Sequence, residues 1–187
     1  MQGLIAIIPI VGWIALAGWM MVTIDNYRAG RRELAGAGFH LARGGPLFLV
    51  VLAWTVVFAL PGAAISSTGL RADAPGIISV GDLLSFALRL LLSFLTPSII
   101  VNTYERGLAG GFAVGAVWET AMANANNSLI AGLVIIAADV VGGLGVILCC
   151  VGLIFTIPYA VAVTAGVVTW YEQMMGGPRT ASPPGAV

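Results

Sequence analysis

The sequence predicts an all-α, polytopic transmembrane helical bundle of about five spans, with one or two further helices at the membrane surface. Its composition is the first observation: of 187 residues, 59% are hydrophobic and 9% charged, whereas soluble domains carry roughly 25% charged residues. The mean hydropathy is +1.02. Several apolar runs also reach the ~20 residues that an α-helix needs to cross a bilayer. We expect a single helical domain at 1–175, followed by a disordered tail at 176–187 that is rich in Gly and Pro.

The predicted spans lie at 4–24, 46–65, 83–101, 128–149 and 152–172. The first is a retained helix rather than a signal peptide, because no positive charge precedes it and its apolar run continues to Ile24. Pro46 suits the first turn of the second span, and Asp82 is placed to cap the third. The last two spans divide an apolar stretch too long for one helix. A break at Gly142–Gly145 is the alternative to a break after residue 149, since glycines favour turns.

Two less hydrophobic segments predict helices outside the spans. Residues 31–43 have apolar side chains at helical spacing between polar ones, which is typical of a short helix lying in the membrane interface. These apolar positions are Leu34, Ala37, Gly38 and Leu41. Residues 112–127 form either a second interfacial helix or an extension of the fourth span, and Gly107–Gly111 predicts a turn before them.

The arginines predict the orientation of the chain. All eight basic residues are arginine, and four of them follow the first span: Arg28, Arg31, Arg32 and Arg43. Basic residues in short loops stay on the cytoplasmic side. With the N-terminus outside, these four lie inside together with Arg106 and Arg179, and only Arg71 lies outside. We therefore expect a multi-pass protein of the bacterial inner membrane with a cytoplasmic C-terminus, whose arginine cluster anchors the topology and contacts anionic lipid at ~1 kcal/mol per base.

Polar residues inside the spans give a candidate intramembrane site at Asp82, Ser85, Arg89 and Asp139. In the third span, Asp82, Ser85 and Arg89 continue into Ser93 and Thr96 at steps of three and four, which places them on one helical face. A lone arginine deep in a membrane costs ~2.5–3.5 kcal/mol. Arg89 therefore reaches the outer interface or meets an acid, with Asp139 or Asp82 as the partner. Such a set forms either a polar path that binds an anion or relays protons, or an interhelical ion pair with local serine hydrogen bonds.

The remaining polar residues favour no catalytic or metal chemistry. There is no glycine-rich phosphate loop, no lysine to serve one, and no nucleophile elbow. His40 is the only histidine, and Cys149 and Cys150 are adjacent, so neither a zinc site nor a disulfide framework is expected. A net charge of zero argues against binding to nucleic acid. We expect a protein that is not an enzyme and that uses no cofactor.

Three short stretches resemble a known family. Residues 148–173 read LCCVGLIFTIPYAVAVTAGVVTWYEQ. In this run Pro158 follows Gly152 with five residues between them, and Trp170 and Tyr171 form an aromatic pair near the end. Together with an Ile-Pro-rich first helix and LTPSIIVNTYERG at 95–107, this is similar to the bacterial and archaeal membrane proteins of the family called domain of unknown function 4013. The resemblance implies a multi-helix membrane protein. It implies no activity and identifies no site residues.

Two functions follow from these expectations. The first is a non-enzymatic accessory or scaffold component of the membrane, because few polar residues are available for chemistry. The alternative is a small oligomeric channel or transporter that uses the intramembrane polar site. The expected partners are the lipid bilayer and either another protein or further copies of the chain.

Overall fold

The computed structural model describes residues 11–31, 33–36, 38, 40–147 and 151–176, with side chains except at 144–147 and 151–155. The described residues form six helices and no strand. They are α1 (Val11–Arg28), α2 (Leu41–Arg71), α3 (Pro75–Phe112), α4 (Val114–Ala123), α5 (Ala125–Ile147) and α6 (Val151–Met174). Helices α2, α3 and the Ala125–Gly143 part of α5 are long and apolar enough to cross a membrane. The all-α fold class is therefore confirmed. Predictions for residues 4–10, Arg32, the two cysteines, Arg179 and the tail from 177 lie outside the described residues.

The five long helices form a closed bundle. Helix α2 packs against α1 and α3, α5 packs against α3 and α6, and α6 returns to α1. Contacts between Asp25 and Arg43, and between Ser128 and Tyr171, place the starts of α2 and α5 beside the ends of α1 and α6. We call this the basic end of the bundle. The opposite end, at the turn between α2 and α3, is the hairpin end.

The core lies toward the basic end in two clusters. One joins α1, α2, α3, α5 and α6 around Ile24, Leu47, Ile100, Val168 and Tyr171. The other joins α2, α3 and α4 around residues such as Trp54, Ile99 and Val117. Toward the hairpin end, α2 and α3 expose large apolar side chains, as helices that face lipid do. The most exposed include Val57, Leu60, Leu70, Val80, Leu83 and Phe86.

The hairpin of α2 and α3 is longer than the predicted spans 46–65 and 83–101. Only residues 72–74 separate the two helices. Pro75 occupies the first turn of α3, so Asp82 lies within that helix and is not its N-cap, and Pro46 lies inside α2. The two helices remain in close contact along the extra turns, because a Cβ on Gly69 would lie 2.7 Å from the backbone nitrogen of Ile78. At 1.5 Å per residue, α2 measures ~46 Å, more than the ~30 Å hydrocarbon core of a bilayer.

The segment after α1 is not the predicted interfacial helix. Its described residues between 31 and 40 are non-helical. Trp19 Nε1 donates to the carbonyl oxygen of Ala35 at 2.8 Å, and the Ala35 amide donates to Thr23 Oγ1 at 3.2 Å. These contacts hold the segment against α1 and use backbone groups at Ala35 that a helix would pair internally.

Of the other predicted helix breaks, the one at Gly107–Gly111 is observed and the alternative one at Gly142–Gly145 is not. Gly107 has φ +63° and interrupts α3, in agreement with the predicted turn. The 112–127 segment contains the short helix α4, separate from α5. Helix α5 continues through Gly142–Gly145 to Ile147, so the alternative break at those glycines is not observed.

Candidate functional site

Arg89 and Asp139 lie opposite each other on α3 and α5. Arg89 Nη2 is 3.7 Å from Asp139 Oδ2, and the two side chains are 68% and 50% exposed. The structure therefore brings together the pair that the sequence offered as one of two alternatives. At this distance the pair is looser than a charge-assisted hydrogen bond of about 2.7–2.9 Å. Both groups retain capacity for a further polar partner.

The rest of the predicted polar stripe does not join this pair. Asp82 instead accepts a hydrogen bond from Ser66 Oγ of α2 at 2.9 Å. Ser85 and Thr96 donate to carbonyl oxygens one turn back in α3, at 2.9 and 2.8 Å. Such back-bonding satisfies a hydroxyl within its own helix. The stripe therefore forms local contacts instead of one connected chain of polar groups.

A cavity of about 610 Å³ lies beside the Arg89–Asp139 pair. We call it the interhelical cavity. Its polar side includes Ser85, Ser93 and Thr164, and most of its wall is apolar, with Trp54 and Phe58 from α2. Its volume falls in the roughly 300–1,000 Å³ range of ligand sites.

Ser93 contributes a buried hydroxyl to this wall. The residue is 6% exposed, and within the described part of the chain its hydroxyl makes no hydrogen bond. A buried hydroxyl without a partner costs roughly 1–3 kcal/mol. The interhelical cavity therefore offers an unused donor one helical turn from Arg89.

The basic end carries a second, denser group of charges. Arg28 of α1 donates to Glu172 of α6 through Nε at 2.8 Å and also through Nη2. The two side chains are 16% and 5% exposed. Asp25 pairs with Arg43 and accepts from the hydroxyl of Tyr104. We call these five residues the charge cluster. It connects α1, α2, α3 and α6.

Arg28 is held in its charged form by this arrangement. Its guanidinium carbon lies 3.7 Å from the centroid of the Tyr104 ring, which adds a cation–π contact. Burial by itself lowers the pKa of Arg28, but the hydrogen bonds and negative charge of Glu172 outweigh it and raise that pKa above its usual value. Arg28 thus stays a cation, and Glu172 is its counter-charge.

A hydroxyl network lies next to the charge cluster. Tyr171 Oη is 3.1 Å from Ser98 Oγ of α3 and 2.9 Å from Ser128 Oγ of α5. It also donates to the carbonyl oxygen of Thr120 in α4 at 3.1 Å. A separate cavity of about 250 Å³ is lined by Arg28 and Glu172 of the charge cluster and by Thr120 of this network. One tyrosine on α6 therefore links three other helices.

A comparison with models of known protein families assigns the chain to one of them. The sequence model described as Protein of unknown function (DUF4013) matches residues 1–151. The chain belongs to the DUF4013 family. The match to DUF4013 includes the basic segment and the 95–107 stretch on which the resemblance rested, but it ends before most of the 148–173 run. No curated protein and no solved structure matches the sequence.

Within this DUF4013 protein, sequence reasoning missed the acids of the charge cluster. Asp25 and Glu172 stand near the ends of the first and last helices, and the even number of long helices between these two ends brings them to the same end of the bundle. Counting acids as well as arginines near those ends would have indicated the contact. Arg28 and Arg43, predicted as lipid and topology anchors, lie in ion pairs, while Arg31 donates to Asn26 Oδ1 at 2.8 Å.

No metal site accompanies these charges in the described ranges. Across 11–31, 33–36, 38, 40–147 and 151–176, no three His, Cys, Asp or Glu side chains converge on one point. The acids of the charge cluster face arginines instead. Its chemistry in this part of the chain is ion pairing between helices.

Proposed function

We propose that this protein is a non-enzymatic accessory or scaffold component of the bacterial inner membrane. The observation that carries the proposal is the charge cluster, whose ion pairs connect helices and whose Arg28–Glu172 pair is buried. The Arg28–Glu172 pair joins α1 to α6, and Asp25 joins α1 to Arg43 of α2 and Tyr104 of α3. Breaking such a pair leaves an uncompensated charge, so the cluster favours one fixed arrangement of helices. A fixed frame suits a protein that holds a partner in place.

The intramembrane polar residues support the same function. Ser85 and Thr96 bond within α3, and Asp82 bonds to Ser66. A solute path through a bundle needs polar groups that remain available along its length. In the scaffold, the Arg89–Asp139 pair is one contact between α3 and α5.

Replacement of that pair tests the scaffold function. Arg89→Leu with Asp139→Leu should leave expression and the amount of co-purifying partner near wild type, because two apolar side chains replace a loose ion pair. The matched control is Glu172→Leu alone, which leaves the Arg28 cation without its counter-charge and should reduce both. Loss of the partner in the first variant with normal expression would contradict the proposal.

We further propose that the N-terminus lies outside and the basic end lies in the cytoplasm. The described arginines support this orientation, because the basic end holds Arg28, Arg31, Arg43 and Arg106, while Arg71 ends α2 at the hairpin end. Short-loop arginines favour the cytoplasmic side.

Cysteine labelling tests this orientation. In a variant whose Cys149 and Cys150 are replaced by alanine, a membrane-impermeant maleimide added from outside should label Arg71→Cys and leave Glu105→Cys unlabelled. Both substituted positions are exposed. The reverse labelling pattern would refute the orientation.

A channel or transporter is the second candidate, and the interhelical cavity is the observation that favours it. The cavity of about 610 Å³ includes both Arg89 and Asp139 in its wall. In a transporter, Arg89→Gln or Asp139→Asn should abolish the function of a folded protein in a complemented deletion strain. Normal complementation by both single variants would exclude transport through this pair.

A further inference from the structure

The interhelical cavity changes in polarity along the bundle axis. Toward the hairpin end its wall carries Ser85, Arg89 and Asp139, and toward the basic end it carries Ile99 and Ile100. Between Arg89 and Ile100 the wall follows α3 for about 16 Å at 1.5 Å per residue. One leaflet of the hydrocarbon core measures roughly 15 Å. The cavity therefore has the length and the polarity gradient of one lipid chain with its head toward the hairpin end.

The polar side of this cavity matches a head group that carries both charges. It offers one cation, Arg89, and one anion, Asp139, in loose contact at 3.7 Å. An anionic head group alone would meet repulsion from Asp139, and a cationic one would meet repulsion from Arg89. A phosphate beside Arg89 and an ammonium beside Asp139 complement both.

The buried Ser93 hydroxyl supplies a further contact. Ser93 follows Arg89 by four residues on the same face of α3 and lies deeper in the cavity wall. In a phospholipid the ester carbonyl follows the phosphate toward the acyl chain. The hydroxyl, which has no hydrogen-bond partner in the described part of the chain, is thus in a position to donate to that carbonyl.

We propose that the interhelical cavity binds one zwitterionic phospholipid whose head group lies toward the hairpin end. Its phosphate lies at Arg89, its ammonium at Asp139, and one acyl chain packs against Trp54 and Phe58 of the apolar wall. This site requires the chain to be in a membrane and does not depend on the accessory or scaffold function.

Lipid retention tests the site. The full chain is reconstituted in nanodiscs of equal phosphatidylethanolamine and phosphatidylglycerol, extracted into mild detergent, and analysed by native mass spectrometry. We expect one phosphatidylethanolamine per chain. Ala59→Phe, which fills the cavity wall on α2, should reduce retention about tenfold, equivalent to ~1.4 kcal/mol. Ala64→Phe, also exposed on α2 but outside the cavity wall, is the matched control and should retain the lipid.

Charge variants test the head-group contacts separately from the apolar wall. Arg89→Gln should reduce retention about tenfold, whereas Arg71→Gln at the hairpin end should not. Asp139→Asn should keep a lipid but lose the preference for phosphatidylethanolamine over phosphatidylglycerol. If Ala59→Phe retained as much lipid as Ala64→Phe, or Arg89→Gln as much as Arg71→Gln, the lipid would be bound only at the outer surface of the protein. Either result would overturn the proposal. Preferential retention of phosphatidylglycerol by the unmodified chain would also overturn it.

Discussion

Replacement of Glu172 by Gln exchanges one oxygen for an amide nitrogen, yet it should lower the free energy of unfolding by ~3 kcal/mol. The side chain of Glu172 is 5% exposed, and that of its partner Arg28 is 16% exposed. The amide keeps the size of the carboxylate but leaves the Arg28 cation without a counter-charge. Removal of one member of a buried pair costs roughly 3–5 kcal/mol. Because Arg28 also borders the cavity of about 250 Å³, we expect the lower limit of that range.

The assay is thermal unfolding in detergent, followed by circular dichroism. A loss of ~3 kcal/mol lowers the Tm by roughly 6–12 °C for a chain of about this length. Glu105→Gln is the matched control, because Glu105 lines the same cavity but is exposed. It should change the free energy of unfolding by less than about 0.5 kcal/mol.

A double-mutant cycle separates the ion pair from general damage. Arg28→Gln combined with Glu172→Gln should be less destabilised than the sum of the two single variants, because the second change removes the unpaired charge that the first one leaves. Equal Tm values for Glu172→Gln and Glu105→Gln, or strictly additive single effects, would refute the structural importance of this pair.

Two further substitutions test the packing of the bundle. Tyr171→Phe removes the hydroxyl that links three other helices, so the free energy of unfolding should fall by about 1–2 kcal/mol, whereas Tyr159→Phe at an exposed site should change nothing measurable by the same thermal assay. Gly62→Ala places a Cβ 2.0 Å from Ser85 Oγ and should destabilise by roughly 1–3 kcal/mol through overpacking. Gly45→Ala, where a Cβ meets nothing within 4 Å, should be neutral or stabilising, and equal Tm values for the two glycine variants would contradict the close approach of α2 and α3.

The helical class follows from the sequence because apolar runs of about 20 residues suit membrane-spanning helices, which pair their backbone groups within one segment. The contact between Arg89 and Asp139 was also accessible, since an intramembrane arginine needs an acid and few acids are available. The DUF4013 assignment was accessible from short apolar motifs that agree with the match to residues 1–151.

Other features depend on tertiary contacts that a linear pattern does not contain. Leu34 and its neighbours have helical spacing, yet hydrogen bonds from Trp19 and to Thr23 hold this segment against α1 in a non-helical form. The extra turns of α2 and α3 pack closely where Gly69 meets Ile78, a contact that hydropathy does not show. The sequence pattern does not predict the ion pair of Glu172, because its partner Arg28 is 144 residues away.

Gentle extraction of the protein from native membranes at its natural expression level, followed by mass spectrometry of co-migrating proteins, tests the scaffold function most directly. A fixed frame braced by Arg28–Glu172 predicts a stoichiometric protein partner, which Glu172→Gln releases and Glu105→Gln retains. A chain that migrates only with further copies of itself, under conditions in which the bundle stays folded, would contradict the accessory function and favour transport through the interhelical cavity.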